Sequence, residues 1–232
     1  MTPDAFVVAA ILFDLDNTLF DRDLAVRYWA EVFARARLGL RDDAHADAVD
    51  IVLALDAHGY GAKPPMFGVL KGQYPVLSES IADLVDDFYR QVPGYASLDE
   101  RAHRLLDRID RAGLPFGIVT NGSRYQLHTI RALGLDERTS CIVVSDLVGY
   151  RKPEAAIFLT AADKLGVRPA KILFVGDNPE ADVWGAHRAG MRTAWLHRDQ
   201  TWPSTTIERC ADFTIGSLDE LVDIIASMRG KG

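Results

Sequence analysis

Two aspartates, Asp14 and Asp16, stand two residues apart directly after the short apolar run 7–13. Alternate residues of an extended chain point to the same side, so the two carboxylates can converge on one point. Two anions held at the edge of an apolar core repel each other and lose hydration unless a cation or proton joins them. Carboxylate oxygens without a neighbouring histidine or cysteine favour Mg²⁺ over zinc. Taken alone, the pair is either a magnesium site or a solvated acidic turn, and the other polar residues of the chain must decide between them.

Three later segments carry further polar groups that follow, or lie in loops after, apolar runs. Thr120 and Asn121 precede a glycine turn, where a hydroxyl and backbone N–H groups can bind an anion or simply cap the next helix. Lys152 stands just before Pro153, at the predicted start of a helix. The helix dipole disfavours a cation there by ~0.3–1 kcal/mol, so either an anionic partner lies nearby or the side chain is solvated in a loop. Asp177 either caps the following helix or supplies another oxygen ligand.

The elements that must position these groups alternate between strand and helix. Short apolar runs bounded by polar residues predict strands buried on both faces, as in parallel sheets. They lie at 7–13, 116–119, 141–144, 172–175 and 193–196, with helical patterns at 97–113, 125–133 and 153–165. This alternation predicts a doubly wound, Rossmann-like α/β parallel sheet.

Ligands of such sheets bind beyond the carboxyl ends of the strands, so all these polar groups are expected at one edge. An acid pair, a hydroxyl, a cation and a third acid can together handle a metal-bound phosphoryl group. A carboxylate would be the nucleophile, the metal would neutralise charge, and the hydroxyl and lysine would hold the phosphoryl oxygens.

A long insertion separates the first two predicted strands. Residues 21–92 contain helical patterns at 23–38, 49–55 and 81–88 but no convincing strand, and the glycines and prolines of 59–65 break the middle. We expect a small α-helical domain at 21–92, inserted into an α/β core domain formed by 1–20 and 93–232. Four of its aromatic residues are expected in the core rather than in a substrate pocket: Trp29, Phe33, Tyr60 and Phe67. Two of its lysines, Lys63 and Lys71, are expected in solvent.

The composition excludes several classes of protein. The chain has 232 residues, 48% of them hydrophobic and 25% charged, and a formal net charge of −7. A mildly acidic balance argues against nucleic-acid binding, which requires a basic face. The two cysteines, Cys141 and Cys210, show no disulfide or metal spacing. No apolar run approaches the ~20 residues that span a bilayer, and the first ten residues lack the basic region of an export signal. We therefore expect a cytoplasmic protein that binds neither nucleic acid nor membrane, and leave open whether it is a monomer or homodimer.

At these residues the sequence resembles the haloacid dehalogenase-like hydrolase superfamily. The family pattern is matched in order along essentially the whole chain by Asp14, Asp16 and Thr18, then Thr120, then Lys152, then Gly176, Asp177 and Asp182. A helical cap between the first two motifs marks one subgroup of the family, subfamily I. The stretches Phe-Asp-Leu-Asp-Asn-Thr-Leu and Val-Thr-Asn-Gly resemble its small-metabolite phosphatases and pyrimidine nucleotidases in particular.

The resemblance implies a role for each matched position. Asp14 would attack phosphorus and form an aspartyl-phosphate, and Asp16 would protonate the leaving alcohol and then deprotonate the attacking water. The Mg²⁺ ligands would be the carboxylates of Asp14 and Asp177 and the backbone carbonyl of Asp16. The remaining positions would hold the phosphoryl oxygens (Thr120, Asn121 and Lys152) or support the site (Thr18, and Asp182, which would orient metal-bound water or Lys152).

The expected function is thus a Mg²⁺-dependent phosphatase for a small phosphorylated metabolite such as a nucleotide or sugar phosphate. The alternatives are a 2-haloacid dehalogenase, a receiver-like signalling protein with a phospho-aspartate, and a non-catalytic binding protein. Dehalogenases of the family lack an acid at the position of Asp16, because halide leaves without a proton. The helical insertion and Thr18 disfavour the receiver.

Overall fold

Six parallel strands form one sheet in the order β3-β2-β1-β4-β5-β6. In the computed structural model, which describes residues 7–203 and 208–228, the strands are β1 Ala10–Phe13, β2 Phe116–Thr120, β3 Cys141–Val144, β4 Ile172–Gly176, β5 Arg192–Leu196 and β6 Phe213–Ile215. The chain moves outward from β1 to β3, returns to the other side of β1 and moves outward again to β6. The predicted doubly wound α/β fold is thereby confirmed, with its reversal point between β1 and β4.

The sixth strand was not predicted. It has only three residues, and the burial of its side chains is mixed, so it carries no continuous apolar run. Its pairing with β5 defines it.

The ten α-helices of the described residues flank the sheet or form the insertion. They are α1 Arg22–Ala36, α2 Asp42–Asp56, α3 Lys63–Gln73, α4 Ile81–Gln91, α5 Glu100–Arg111, α6 Gln126–Ala132, α7 Ser145–Val148, α8 Ala155–Leu165, α9 Gly185–Arg188 and α10 Glu220–Met228. A π-helical turn at Pro179–Trp184 leads into α9. None of the helices in the described part of the chain is long and apolar enough to cross a bilayer.

Every side chain of β1 is buried, because helices cover both faces of the central strands. Ala10 and Leu12 belong to a core cluster that includes Ile157 and Phe158 of α8. Their neighbour Phe13 points to the opposite face. The sheet therefore has apolar layers on both sides, and its polar residues concentrate where the strands end.

The chain divides into two compact units, Asp21–Ser97 and the segments that precede and follow it. The helical unit extends past residue 92, where the sequence predicted its boundary. The reason is a 3₁₀ turn at Val92–Tyr95 that packs on α1 and α4, with Val92 and Pro93 buried.

Aromatic rings form the core of the helical unit. Trp29 stacks on Phe33 at 4.7 Å between ring centroids and makes an edge contact with Phe88 at 4.8 Å. Phe67 is fully buried beside them. Three of the four aromatic residues considered from the sequence are therefore core residues, as expected, whereas Tyr60 is 73% exposed.

Two expectations for the helical unit were wrong. The Lys-Pro-Pro sequence at 63–65 starts α3 instead of breaking the chain, because proline is tolerated in the first turn, where the N–H groups need no helical partner. Lys63 is buried rather than solvated. Its Nζ lies 2.8 Å from Asp56 Oδ1.

Candidate active site

The site is built where the doubly wound sheet reverses direction. Asp14 directly follows β1, and its backbone N–H donates to the carbonyl of Val175 in β4 at 2.9 Å. This pairing brings the end of β1 beside Asp177, the residue after β4. Carboxylate oxygens of Asp14, Asp177 and Asp182 lie within 4.8 Å of one another, which is close enough for shared coordination of one cation.

Lys152 connects two of these carboxylates. Its Nζ lies 2.5 Å from Asp14 Oδ1 and 2.6 Å from Asp182 Oδ1, and the residue is buried. Burial alone would lower the pKa of Lys152, but the charges of Asp14 and Asp182 outweigh burial and raise it. The lysine is therefore a fixed positive charge beside Asp14.

Asp182 is held by the π-helical turn after β4. Its Oδ2 accepts a hydrogen bond from the backbone N–H of Asn178 at 3.0 Å, while Oδ1 accepts from Lys152. Gly176 provides the room, since a Cβ at this position would lie 2.4 Å from Asp182 Cγ. Both oxygens of Asp182 thus have protein donors, and this carboxylate positions Lys152.

The cluster holds more negative than positive charge. Burial first, and then the negative charges of Asp14 and Asp182, raise the pKa of Asp177 to about 8. Burial and Asp14 also raise the pKa of Asp182, although Lys152 opposes them. A divalent cation would supply the missing positive charge, and the hard oxygens of Asp14 and Asp177 fit Mg²⁺.

Thr120 and Asn121 lie at the end of the neighbouring strand β2. Thr120 is 1% exposed. The side-chain amide of Asn121 is engaged with the backbone of Lys152, donating to its carbonyl at 2.9 Å and accepting from its N–H at 2.8 Å. Asn121 thus fixes the loop that carries Lys152. The family resemblance had implied instead that Asn121 would bind the phosphoryl oxygens.

Asp16 and Thr18 complete the set of residues singled out from the sequence. The Asp16 carboxylate accepts a hydrogen bond from Gln126 Nε2 at 2.7 Å. The Thr18 hydroxyl lies 3.3 Å from Asp14 Oδ2 and 3.4 Å from Asp177 Oδ1, both long for a hydrogen bond from a hydroxyl. All eight residues therefore lie at or beyond the carboxyl ends of the parallel strands, with Thr120 as the last residue of β2 and Asp182 in the π-helical turn.

Sequence reasoning missed several residues that support the site. Ser145 holds the glycine turn after β2, since its Oγ accepts from Gly122 N at 2.9 Å and donates to Gly122 O at 3.1 Å. Arg198 donates to the carbonyl of Asn17 at 3.0 Å. Asn17 has a φ of 60°, a conformation that asparagine tolerates well. No motif marks Ser145 or Arg198, because their contacts are long-range.

The fold and the site define an α/β protein with three clustered carboxylates that could hold a cation, and a buried lysine beside them, at the reversal point of its sheet. A family model described as haloacid dehalogenase-like hydrolase matches residues 8–190, so this chain belongs to that family. The expected family membership is therefore confirmed.

Relatives with established names match over most of their length. The chain is 27% identical over 230 residues to the glyceraldehyde 3-phosphate phosphatase of Methanopyrus kandleri, covering 96% of this chain and 99% of the relative. It is 31% identical to the phosphoglycolate phosphatase of Xanthomonas campestris, covering 78% and 80%. Among solved structures, YfnB from Bacillus subtilis, bound to magnesium, has a TM-score of 0.73 at 25% identity, covering 94% of this chain and 99% of that one.

Proposed function

We propose that this protein is a Mg²⁺-dependent phosphatase that hydrolyses a small phosphorylated metabolite through an aspartyl-phosphate. The observation that carries the proposal is the position of the buried Asp14 carboxylate, which contacts Lys152 and lies within 4.8 Å of Asp177 at the reversal point of the sheet. The names of the relatives, glyceraldehyde 3-phosphate phosphatase and phosphoglycolate phosphatase, support a small phosphate ester as substrate.

The first step would transfer the phosphoryl group to the enzyme. A carboxylate oxygen of Asp14 forms a bond to phosphorus while the bond to the alcohol oxygen breaks, and Asp16 gives that oxygen a proton. Lys152 and the Thr120 hydroxyl would donate hydrogen bonds to phosphoryl oxygens, where negative charge must be stabilised. Lys152 is poised for this role because Asp182 and Asn121 hold it from two sides.

The second step would release phosphate. Asp16, now ionised, takes a proton from a water molecule whose oxygen attacks phosphorus. The bond between phosphorus and the Asp14 oxygen breaks, which restores both carboxyl groups. One acid can serve both steps because its protonation state after the first step is the one that the second step needs.

The residues that would hold Mg²⁺ are Asp14 and Asp177, through carboxylate oxygens, and Asp16, through its backbone carbonyl, with Thr18 supporting the loop. When bound, the ion would neutralise the charges of the nucleophile and the phosphoryl group. The charge imbalance around Asp177 supports this assignment.

The helical unit, Asp21–Ser97, is the proposed cap domain, on which the choice of substrate depends. This assignment follows from the family resemblance and from the position of the unit between the first two motifs. A cytoplasmic location belongs to the same proposal, since the substrates would be soluble metabolites.

The test is release of inorganic phosphate from a panel that includes glyceraldehyde 3-phosphate, phosphoglycolate, sugar phosphates and nucleotides, with Mg²⁺ and with EDTA. We expect Mg²⁺-dependent turnover that falls at least ~1,000-fold in Asp14→Asn, because the nucleophile is lost. Asp47→Asn, at an exposed position of α2, is the matched control and should retain full activity.

Three results would contradict the proposal: folded protein that releases no phosphate across the panel, release of halide from 2-haloacids instead, or a stable phosphoprotein without turnover. The last two would indicate a dehalogenase or a receiver-like protein.

A further inference from the structure

Gln126, the first residue of α6, bridges two residues of the site with one amide group. Its Nε2 lies 2.7 Å from Asp16 Oδ2 and 3.0 Å from Thr120 Oγ1. A primary amide nitrogen carries two hydrogens, so it can donate to both oxygens at once. The bridge therefore joins the loop after β1 to the end of β2.

The Gln126 NH₂ group faces Asp16 Oδ2 at 2.7 Å. Asp16 accepts through this oxygen, and its other oxygen can carry the proton that the first step requires. The same nitrogen then faces the Thr120 hydroxyl, which accepts. The threonine hydrogen is consequently directed away from Gln126, and the hydroxyl remains a donor for another ligand.

The local structure keeps Gln126 in this position. Its backbone N–H donates to the carbonyl of Ser123 at 3.0 Å. Ser145 stabilises the preceding turn through its two hydrogen bonds to the backbone of Gly122. Gly122 leaves space for the side chain, since a Cβ there would lie 2.7 Å from Gln126 Cγ. The φ of Gly122 is not in the left-handed region, so space rather than backbone conformation explains the glycine.

We propose that Gln126 is a positioning residue that orients the Asp16 carboxylate toward the leaving group and fixes the Thr120 hydroxyl as a donor to the phosphoryl group. This inference rests on the proposed phosphatase function. It makes two separable claims about the first phosphoryl transfer. In that step the orientation of Asp16 matters only when the leaving group needs a proton, whereas the Thr120 donor matters for every substrate.

The experiment compares two substrates in wild type, Gln126→Met and Gln126→Glu. One is the best alkyl phosphate of the panel, whose alkoxide needs a proton, and the other is p-nitrophenyl phosphate, whose phenolate departs without one. Both substitutions preserve the approximate size of the side chain and remove both N–H donors. The ratio kcat/KM reports the first phosphoryl transfer for each substrate.

For the alkyl phosphate we expect kcat/KM to fall ~100-fold in both variants, mostly through kcat, because general acid catalysis contributes at least that much. For p-nitrophenyl phosphate the loss should be ~10-fold or less, since only the Thr120 contribution is affected. Gln73→Met, at an exposed position of α3, is the control and should match wild type on both substrates.

Equal losses on the two substrates, or no loss, would overturn the inference while leaving the phosphatase proposal intact. An inactive wild type would instead refute the proposed function. Gly122→Ala provides an independent variant in case the Gln126 variants do not fold, because its Cβ displaces the Gln126 side chain without replacing it. It should show the same selective loss on the alkyl phosphate.

Discussion

Several buried charged residues of this protein are paired with opposite charges from other parts of the chain. In the helical unit, Asp56 accepts from the two terminal guanidinium nitrogens of Arg22, at 2.7 and 3.0 Å, and lies 2.8 Å from Lys63 Nζ. In the α/β unit, Lys152 is held between Asp14 and Asp182. Removal of one member of such a group leaves an uncompensated charge in the interior, which is costly.

Asp56 provides a test of this principle by its dependence on pH. Burial would raise its pKa, but Arg22 and Lys63 outweigh burial and lower it from 3.8 to about 2. Because the folded pKa lies below the unfolded value, this carboxylate stabilises the folded state above pH ~4. That contribution, about 2 kcal/mol, is lost as the pH falls toward 2. Urea unfolding of the wild type, followed by circular dichroism, should show this loss.

The stability of Asp56→Asn should not show this dependence on acid pH. At neutral pH the substitution should lower the free energy of unfolding by about 3 kcal/mol, because Arg22 and Lys63 lose their charged partner. Asp50→Asn changes an exposed carboxylate on the same helix and should leave both quantities close to wild type. If the two variants show the same stability and the same acid dependence, the buried cluster does not stabilise the helical unit.

At the scale of the elements, close approach between neighbours decides which residues are tolerated. Gly117 of β2 lies opposite Cys141 of β3. Cys141 leaves no room for a side chain at position 117. The Cys141 thiol is buried, which raises its pKa to about 11 and keeps it unreactive at neutral pH. This pair is therefore a packing contact between strands.

Gly117→Ala should destabilise the protein by about 1–3 kcal/mol, since overpacking forces strands and side chains to shift. The new Cβ would lie 2.6 Å from Cys141 Sγ and 2.8 Å from Cys141 O. The matched substitution is Gly72→Ala near the end of α3, where nothing lies within 4 Å of a Cβ. It should stabilise by up to about 1 kcal/mol, because alanine is the better helix former. If chemical denaturation shows that both substitutions change the free energy of unfolding in the same direction, this account is contradicted.

At the scale of the whole molecule, the α/β unit holds a cluster of buried or half-buried carboxylates that could hold a cation. A ligand that binds only the folded state stabilises it in proportion to the logarithm of its concentration. The proposed binding of Mg²⁺ at this site would therefore link the chemistry of a few residues to the stability of the fold.

We expect Mg²⁺ at about 100 times its Kd to stabilise the protein by about 2.7 kcal/mol, a rise in Tm of about 5–10 °C. Calorimetry of Asp177→Asn should show most of that rise removed, since a charged ligand is replaced by a neutral amide. Asp163→Asn, exposed on α8, should respond to Mg²⁺ as the wild type does. An undiminished rise in Asp177→Asn would place the cation elsewhere.

Local pattern was sufficient for much of the architecture. The apolar runs before Asp14 and Asp177 predicted β1 and β4, and the order of motifs predicted that their ends would meet. It was insufficient where partners are distant in sequence. Lys63 was expected in solvent because its partner Asp56 lies on the preceding helix. No motif marks Gln126, because its partners, Asp16 and Thr120, belong to other elements.

The amino-acid sequence by itself determined the family, the doubly wound sheet and the set of polar residues at the strand ends, because apolar periodicity and short motifs are local properties of the chain. Only the tertiary structure decided how those residues are paired: Lys152 between two carboxylates, Asn121 on the lysine backbone, and Gln126 between Asp16 and Thr120. Hydrogen bonds and ion pairs require interatomic distances that are correct to within a few tenths of an ångström. How strands and helices pack sets those distances.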